Sequence, residues 1–256
     1  MSLTRKLTRP LTRPLVIASS EDVVESDNVV KSGSYKSFTP TFIADKSMLF
    51  DGTDDFVETG IQPDFIHTGA TMSSWVKMGD FSGNQFMGTH NSKRFYFGFN
   101  GTTAAMGVQN TKVNSGTDLS DYLAINQWHH IALVADGGTA TFYLDGVARD
   151  TMSYTPNAAS NPSDNLYIGA RGHNTSADTF MNASIDEFAV FSSAFTAREV
   201  DALYNNGRPT NLLQYSTLEA WYRMGEGVLG TKRDGDENLL FDQSTNGGLG
   251  PELTIA

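Results

Sequence analysis

Thr139-Ala140-Thr141-Phe142-Tyr143-Leu144-Asp145-Gly146-Val147-Ala148 is the stretch that decides the fold. Ala140, Phe142 and Leu144 alternate with Thr141, Tyr143 and Asp145, the period of two that a strand shows when one face is buried. Asp145-Gly146 has the composition of a two-residue hairpin turn, whose central residues need positive φ. Upstream, Trp128-His129-His130-Ile131-Ala132-Leu133-Val134 reads as the preceding strand, closed by Asp136-Gly137-Gly138, so the two runs predict a meander. From Phe42 onward short strand-like runs are separated by Gly, Asn and Asp turns, which predicts an all-β sandwich or barrel. One helix is expected near the end of this region. Thr196 is a good N-cap, Glu199 three residues later completes a capping box, and Val200, Leu203 and Tyr204 form an apolar stripe before Gly207.

At 256 residues the chain is long enough for one large sandwich with appended ends. No stretch approaches the roughly 18 to 20 apolar residues needed to cross a bilayer, so membrane insertion is not expected. The apolar run behind the basic N-terminus, Leu15-Val16-Ile17-Ala18, is too short for a secretory signal, so export by a signal peptide is not expected either. Without cysteine, disulfides and thiolate metal sites are excluded. A net charge of −11 disfavours nucleic acid as a partner, because that binding depends on concentrated positive charge.

Five phrases occur in a fixed order: Met48-Leu49-Phe50-Asp51-Gly52-Thr53-Asp54-Asp55-Phe56-Val57, Ser74-Trp75-Val76, Trp128-His129-His130-Ile131-Ala132, Tyr143-Leu144-Asp145-Gly146-Val147 and Ile185-Asp186-Glu187-Phe188-Ala189-Val190-Phe191. Together, over roughly residues 45 to 207, they resemble the laminin-G-like, concanavalin-A-like lectin/glucanase family. The resemblance implies an antiparallel jelly-roll β-sandwich with a short helix after its last main strand, a domain that usually binds or scaffolds rather than catalyses. It also implies a structural calcium ion on Asp51, Gly52 and Asp186. The same aspartates read equally well as turn caps accepting backbone hydrogen bonds.

Hydrolases that share this fold need two carboxylates about 5 Å apart, commonly as Glu-x-Asp-x-x-Glu on one strand. That pattern is absent, and strand alternation would send the adjacent Asp186 and Glu187 to opposite faces, so no enzyme is expected. His129 and His130 sit in a phrase the family uses structurally. Trp75, Trp128 and Phe188 lie in apolar strand phrases and are expected in the core. A sugar site needs an exposed aromatic and convergent polar groups, found in loops. The candidates are Phe86, His90 and Arg94 in one region and Arg171 and His173 in another.

The ends differ from the middle. Residues 1–40 read as an extended arm and linker: Leu-Thr-Arg recurs three times from Leu3, Pro10 and Pro14 oppose helix, and Arg5, Lys6, Arg9 and Arg13 could dock on an acidic neighbour. Residues 41–210 hold the sandwich. Residues 211–256 contain Leu218-Glu219-Ala220-Trp221-Tyr222-Arg223-Met224-Gly225-Glu226, expected to add a strand either to the same sandwich or to a neighbouring one. The whole arrangement is similar to virion proteins of tailed bacteriophages. This implies a tail-fibre, tail-associated or head-decoration component, assembled in the host cytoplasm with other virion proteins and itself, and displaying its sandwich to host-surface glycans. A trimer is expected by analogy with fibres. A free carbohydrate-binding module and a cementing protein without ligand are the alternatives.

Overall fold

Residues alternate between a continuous apolar core and a second face along most strands, and this alternation sets two sheets against each other. The computed structural model describes residues 46–91, 93–113, 116–160, 164–173 and 176–224, with Ala44 and Pro162. The arm at 1–40, with Arg5, Lys6, Arg9 and Arg13, and the segment 225–256 lie outside the described residues.

The strands are β1 (Met48–Asp51), β2 (Val57–Glu58), β3 (Ala70–Met78), β4 (Asn84–Asn91), β5 (Lys93–Asn100), β6 (Thr103–Gln109), β7 (Thr111–Val113), β8 (Trp128–Asp136), β9 (Thr139–Leu144), β10 (Val147–Ser153), β11 (Tyr167–Ile168), β12 (Arg171–His173), β13 (Ser176–Asp178), β14 (Asn182–Phe191) and β15 (Leu218–Tyr222). One sheet has the order β1-β14-β3-β8-β9-β10, with β15 also on β14; the other runs β13-β12-β4-β5-β6-β7, with β11 bridging β2 and β4. Neighbours are antiparallel except β12 and β4, which run parallel. Phe95, Phe97 and Phe99 of β5 join Met72, Val76, Ile131, Leu133, Phe142, Ile185 and Phe188 in the core. Each buried phenylalanine contributes about 1.5–3 kcal/mol. Among the described residues no helix is long and apolar enough to cross a membrane.

The β9–β10 turn has Asp145 at φ 51° and Gly146 at φ 76°, as an Asp-Gly hairpin requires. Asp145 does more than turn the chain. One carboxylate oxygen accepts the His130 N–H at 2.8 Å and the other lies 2.8 Å from His129 Nδ1, so the Trp-His-His and Asp-Gly phrases form one unit. Helix α1 (Ala197–Tyr204) carries the complete Thr196–Glu199 capping box and ends at Asn205 in the left-handed region. Its Tyr204 ring stacks on Trp75, with centroids 5.9 Å apart.

Two expectations need correction. Trp128 is 37% exposed, with Lys77 Nζ 5.4 Å from its ring centre, because it opens β8 on the face away from the core. Asp186 and Glu187 do not alternate either. A bulge lies between Asp186 and Ala189, so Ile185 and Phe188, three residues apart, both enter the core while the two acids stay out of it. Glu187, at φ 52° and only 4% exposed, accepts Trp221 Nε1–H at 2.5 Å and Arg223 Nε–H at 3.2 Å. This clamp fixes β15, which pairs with β14 of the same chain from Phe188↔Tyr222 to Phe191↔Leu218.

Candidate functional site

The face of β4, β5 and β12 turned away from the core carries the unusual chemistry. On β5, Phe95 and Phe97 point into the core, which leaves Arg94 and Tyr96 on the other face. The pairing Phe86↔Gly98 and Gly88↔Tyr96 sets the two aromatics diagonally, and their rings stack at 5.2 Å. Gly107 makes this arrangement possible, since a Cβ there would run into Tyr96 Cε1. Arg171 covers both rings, its guanidinium 5.4 Å from Phe86 and 5.3 Å from Tyr96, and forks onto Asp178 through two 2.8 Å hydrogen bonds. Burial pushes the Asp178 carboxyl up, but the Arg171 hydrogen bonds and charge outweigh it and hold the group below the usual range.

His90 pairs with Arg94 across β4 and β5, and its ring meets His173 edge-on with centroids 5.0 Å apart. Burial, helped by the charges of Arg171, Arg94 and His173, pushes the His90 imidazole down to about 4. The structure therefore brings Phe86, His90, Arg94, Arg171 and His173 together from two separate regions. Phe86 nevertheless cannot be an exposed platform, because Arg171 and Tyr96 leave it 1% exposed; it is the floor beneath the guanidinium.

Beside His173 opens a pocket of about 190 Å³ lined by Glu58, Gln62, Asp164, Asn165, Tyr167, Gly172 and His173. Asn165 Nδ2–H donates to Glu58 Oε1 at 2.6 Å. Tyr167 packs on Phe56 at 5.3 Å, and a Cβ on Gly172 would run into its ring, so glycine lets β12 approach it. Asp164 Oδ2 is buried with no hydrogen-bond partner among the described residues. Sequence reading missed Glu58, Gln62, Asp164, Asn165 and Tyr167, which come from distant short segments without periodic pattern.

The aspartate turn is separate. Asp51 caps it, accepting the Thr53 N–H at 2.7 Å, while Asp55 accepts the Asp51 N–H at 3.0 Å. Asp51, Asp54 and Asp55 nevertheless each offer an oxygen within 4.8 Å of the others. Asp186 does not join them. Asp51 pairs with Asn182, so Asp186 lies four residues further along β14, about 13 Å away at strand rise, and it accepts the Glu187 N–H instead. The neighbours of Asp51 and Gly52 are Asp80, Ser82, Asn84, Gln85 and Asn182, around a cleft of about 320 Å³. Asn182 Nδ2–H donates to Asp80 at 2.7 Å, and the Ser82 N–H first among several donors holds the Asp80 carboxyl below its usual range.

Residues 51–201 match the concanavalin A-like lectin/glucanases superfamily, and the chain belongs to that family. No curated protein matches the sequence. Among solved structures, a candidate carbohydrate binding protein from Bacteroides ovatus is 17% identical, with a TM-score of 0.56 over 82% of this chain and 59% of that one. A heptameric pentraxin from Limulus polyphemus is 13% identical, with a TM-score of 0.46 over 62% of this chain and 81% of that one. NanB sialidase from Streptococcus pneumoniae, as its K499G mutant, is 17% identical, with a TM-score of 0.47 over 61% of this chain and 27% of that one. The chain spans less than two thirds of the Bacteroides structure, and at these identities the likeness is one of fold.

Proposed function

We propose that this protein is a non-enzymatic virion component of a tailed bacteriophage, a tail-fibre, tail-associated or head-decoration protein, whose sandwich binds host-surface glycans in the pocket beside His173. The observation that supports binding most directly is the convergence of Glu58, Gln62, Asp164, Asn165 and His173 over the Tyr167 ring. Such a set supplies donors and acceptors for several hydroxyls of one sugar. The Leu-Thr-Arg repeat and the Trp221-Tyr222-Arg223-Met224-Gly225-Glu226 phrase support the virion setting. Repeated copies would add weak contacts through multivalency.

Two measurements test the two halves. Glycan-array binding that Asn165→Ala reduces at least about tenfold supports the pocket, and unchanged binding removes it. Light scattering of the full chain beside one starting at Asn28 addresses assembly: an oligomer that dissociates without the arm is expected, and monomers in both cases refute arm-driven assembly.

We also propose a structural calcium ion at the aspartate turn, where Asp51, Asp54 and Asp55, each offering an oxygen within 4.8 Å of the others, would supply three of the six to eight oxygen ligands a hard cation takes. A bound ion stabilises the folded state, so excess chelator is expected to lower the melting temperature. An unchanged melting temperature removes calcium from the proposal.

A further inference from the structure

The pocket beside His173 is acidic. Glu58 and Asp164 line it, and neither a lysine nor an arginine does. Asp164 Oδ2 is closed off from water and accepts no hydrogen bond among the described residues. A carboxylate oxygen in that state bears the cost of its lost hydration, which a donor brought by a ligand would offset. Glu58 Oε1 accepts from Asn165 Nδ2–H at 2.6 Å, a neutral amide that leaves the charge unmatched. Neither acid forms an ion pair among the described residues. His173, the basic member of the wall, has Nδ1 3.9 Å from Asp178, so the charge it takes up on protonation is met there. A metal ion needs its ligand atoms gathered around one point. Among the described residues only Asp51, Asp54 and Asp55 bring three such atoms within 4.8 Å of one another, and Glu58, Asp164 and His173 do not. A cavity of about 190 Å³ with its acids set apart suits a larger, organic cation.

We propose that the pocket takes a saccharide bearing a free amine, its ammonium group toward Asp164 and Glu58 and its hydroxyls toward Gln62, Asn165 and His173. This inference rests on the glycan-binding reading above and adds the chemical class of the sugar. An ammonium carries three donors and no acceptor, which matches an acceptor-only carboxylate with an unfilled oxygen. Hydrogen bonds between charged partners are about twice as strong as neutral ones. N-acetylation removes the charge and leaves the hydroxyls in place, so the amine and acetamide forms of one sugar isolate the effect.

The test is an array carrying disaccharides of glucosamine, galactosamine and mannosamine, each beside its N-acetylated counterpart, with a lysine-bearing peptide as an ammonium without a sugar. It is probed at about pH 6, where amines are charged and carboxylates ionised, with the full chain and four variants whose melting curves match the wild type. Asp164→Asn, Glu58→Gln and Asn165→Ala alter the pocket, and Asp121→Asn removes the same charge from the exposed loop before β8. Amines held at least about tenfold more tightly than their acetylated counterparts are expected, a preference lost in Asp164→Asn or Glu58→Gln and kept in Asp121→Asn. A preference weakened as much by Asp121→Asn reflects attraction to the whole chain, which carries −11, and overturns the assignment to these two acids. Acetylated sugars bound as well as the amines, with binding still lost in Asn165→Ala, overturn the amine class and leave the pocket's function standing. The lysine peptide bound as tightly as the amines overturns the saccharide. No binding to any glycan overturns both readings.

Discussion

Replacing Arg223 with methionine should weaken the sandwich more than any surface substitution. The change removes the guanidinium that donates to Glu187 at 3.2 Å and leaves that carboxylate, almost wholly out of water, with the Trp221 Nε1–H bond but without this counter-charge. Breaking one side of a buried ion pair costs about 3–5 kcal/mol. Because Arg223 keeps slight contact with solvent and the Trp221 bond survives, the lower end applies, about 3 kcal/mol. For a domain of this size that corresponds to a fall in melting temperature of about 6–12 °C. The assay is urea denaturation of wild type, Arg223→Met, Glu187→Gln and the double variant. A neutral glutamine at position 187 still accepts the Trp221 bond, so the double variant should recover most of the loss, giving a coupling of about 2 kcal/mol. A single-variant cost below about 1 kcal/mol, or strict additivity, would refute the view that this clamp holds β15 to β14.

Acid should destabilise the protein before its carboxylates titrate. Burial pushes the His130 imidazole down to about 4 from 6.5, against a smaller opposing effect of Asp145. The unfolded chain therefore binds the proton first: the contribution is fully present above pH 6.5 and is lost by about 3 kcal/mol as pH falls to 4, with His90 acting in the same direction. Denaturation midpoints between about pH 7.5 and 4.5 should flatten in His130→Phe, and equal slopes in variant and wild type would contradict the assignment; the depressed Asp80 and Asp178 act only below this window. Gly172→Ala drives a methyl into the Tyr167 ring and should cost about 1–3 kcal/mol while displacing the pocket floor, checked by melting curves and glycan affinity together. Thr196→Ala removes the α1 cap and should cost about 1 kcal/mol in the same denaturation assay; no change would mean that packing of Tyr204 on Trp75 alone holds the helix.

The fold was legible wherever one local rule acted. Alternation along β9, positive φ at Asp145-Gly146 and the Thr196–Glu199 box each depend on residues within a few positions of one another, and each is present in the structure as read. What alternation cannot tell is which of the two faces another element will cover. Phe86 lies under Arg171, eighty-five positions later in the chain, and Trp128 was left half open for want of such a cover. Asp186 misled because the register of β1 on β14, which the sequence does not state, sets Asn182 rather than Asp186 beside Asp51. The pocket was the least legible part: Asn165 reaches Glu58 across 107 positions, and nothing in either short segment announces the other. The candidate ligand residues did assemble, because His90 and Arg94 share one hairpin while Arg171 and His173 share a strand laid beside it.

The period of two along β4 and β5 has an evolutionary consequence. Met87, Phe95 and Phe97 build the core from the same strands whose intervening positions display Phe86, His90, Arg94 and Tyr96 on the opposite face. The core and the outer face are thus written in alternate letters of one text. Odd and even positions can drift under separate selection, so a lineage could exchange His90 or Arg94 while leaving the phenylalanine ladder behind them untouched.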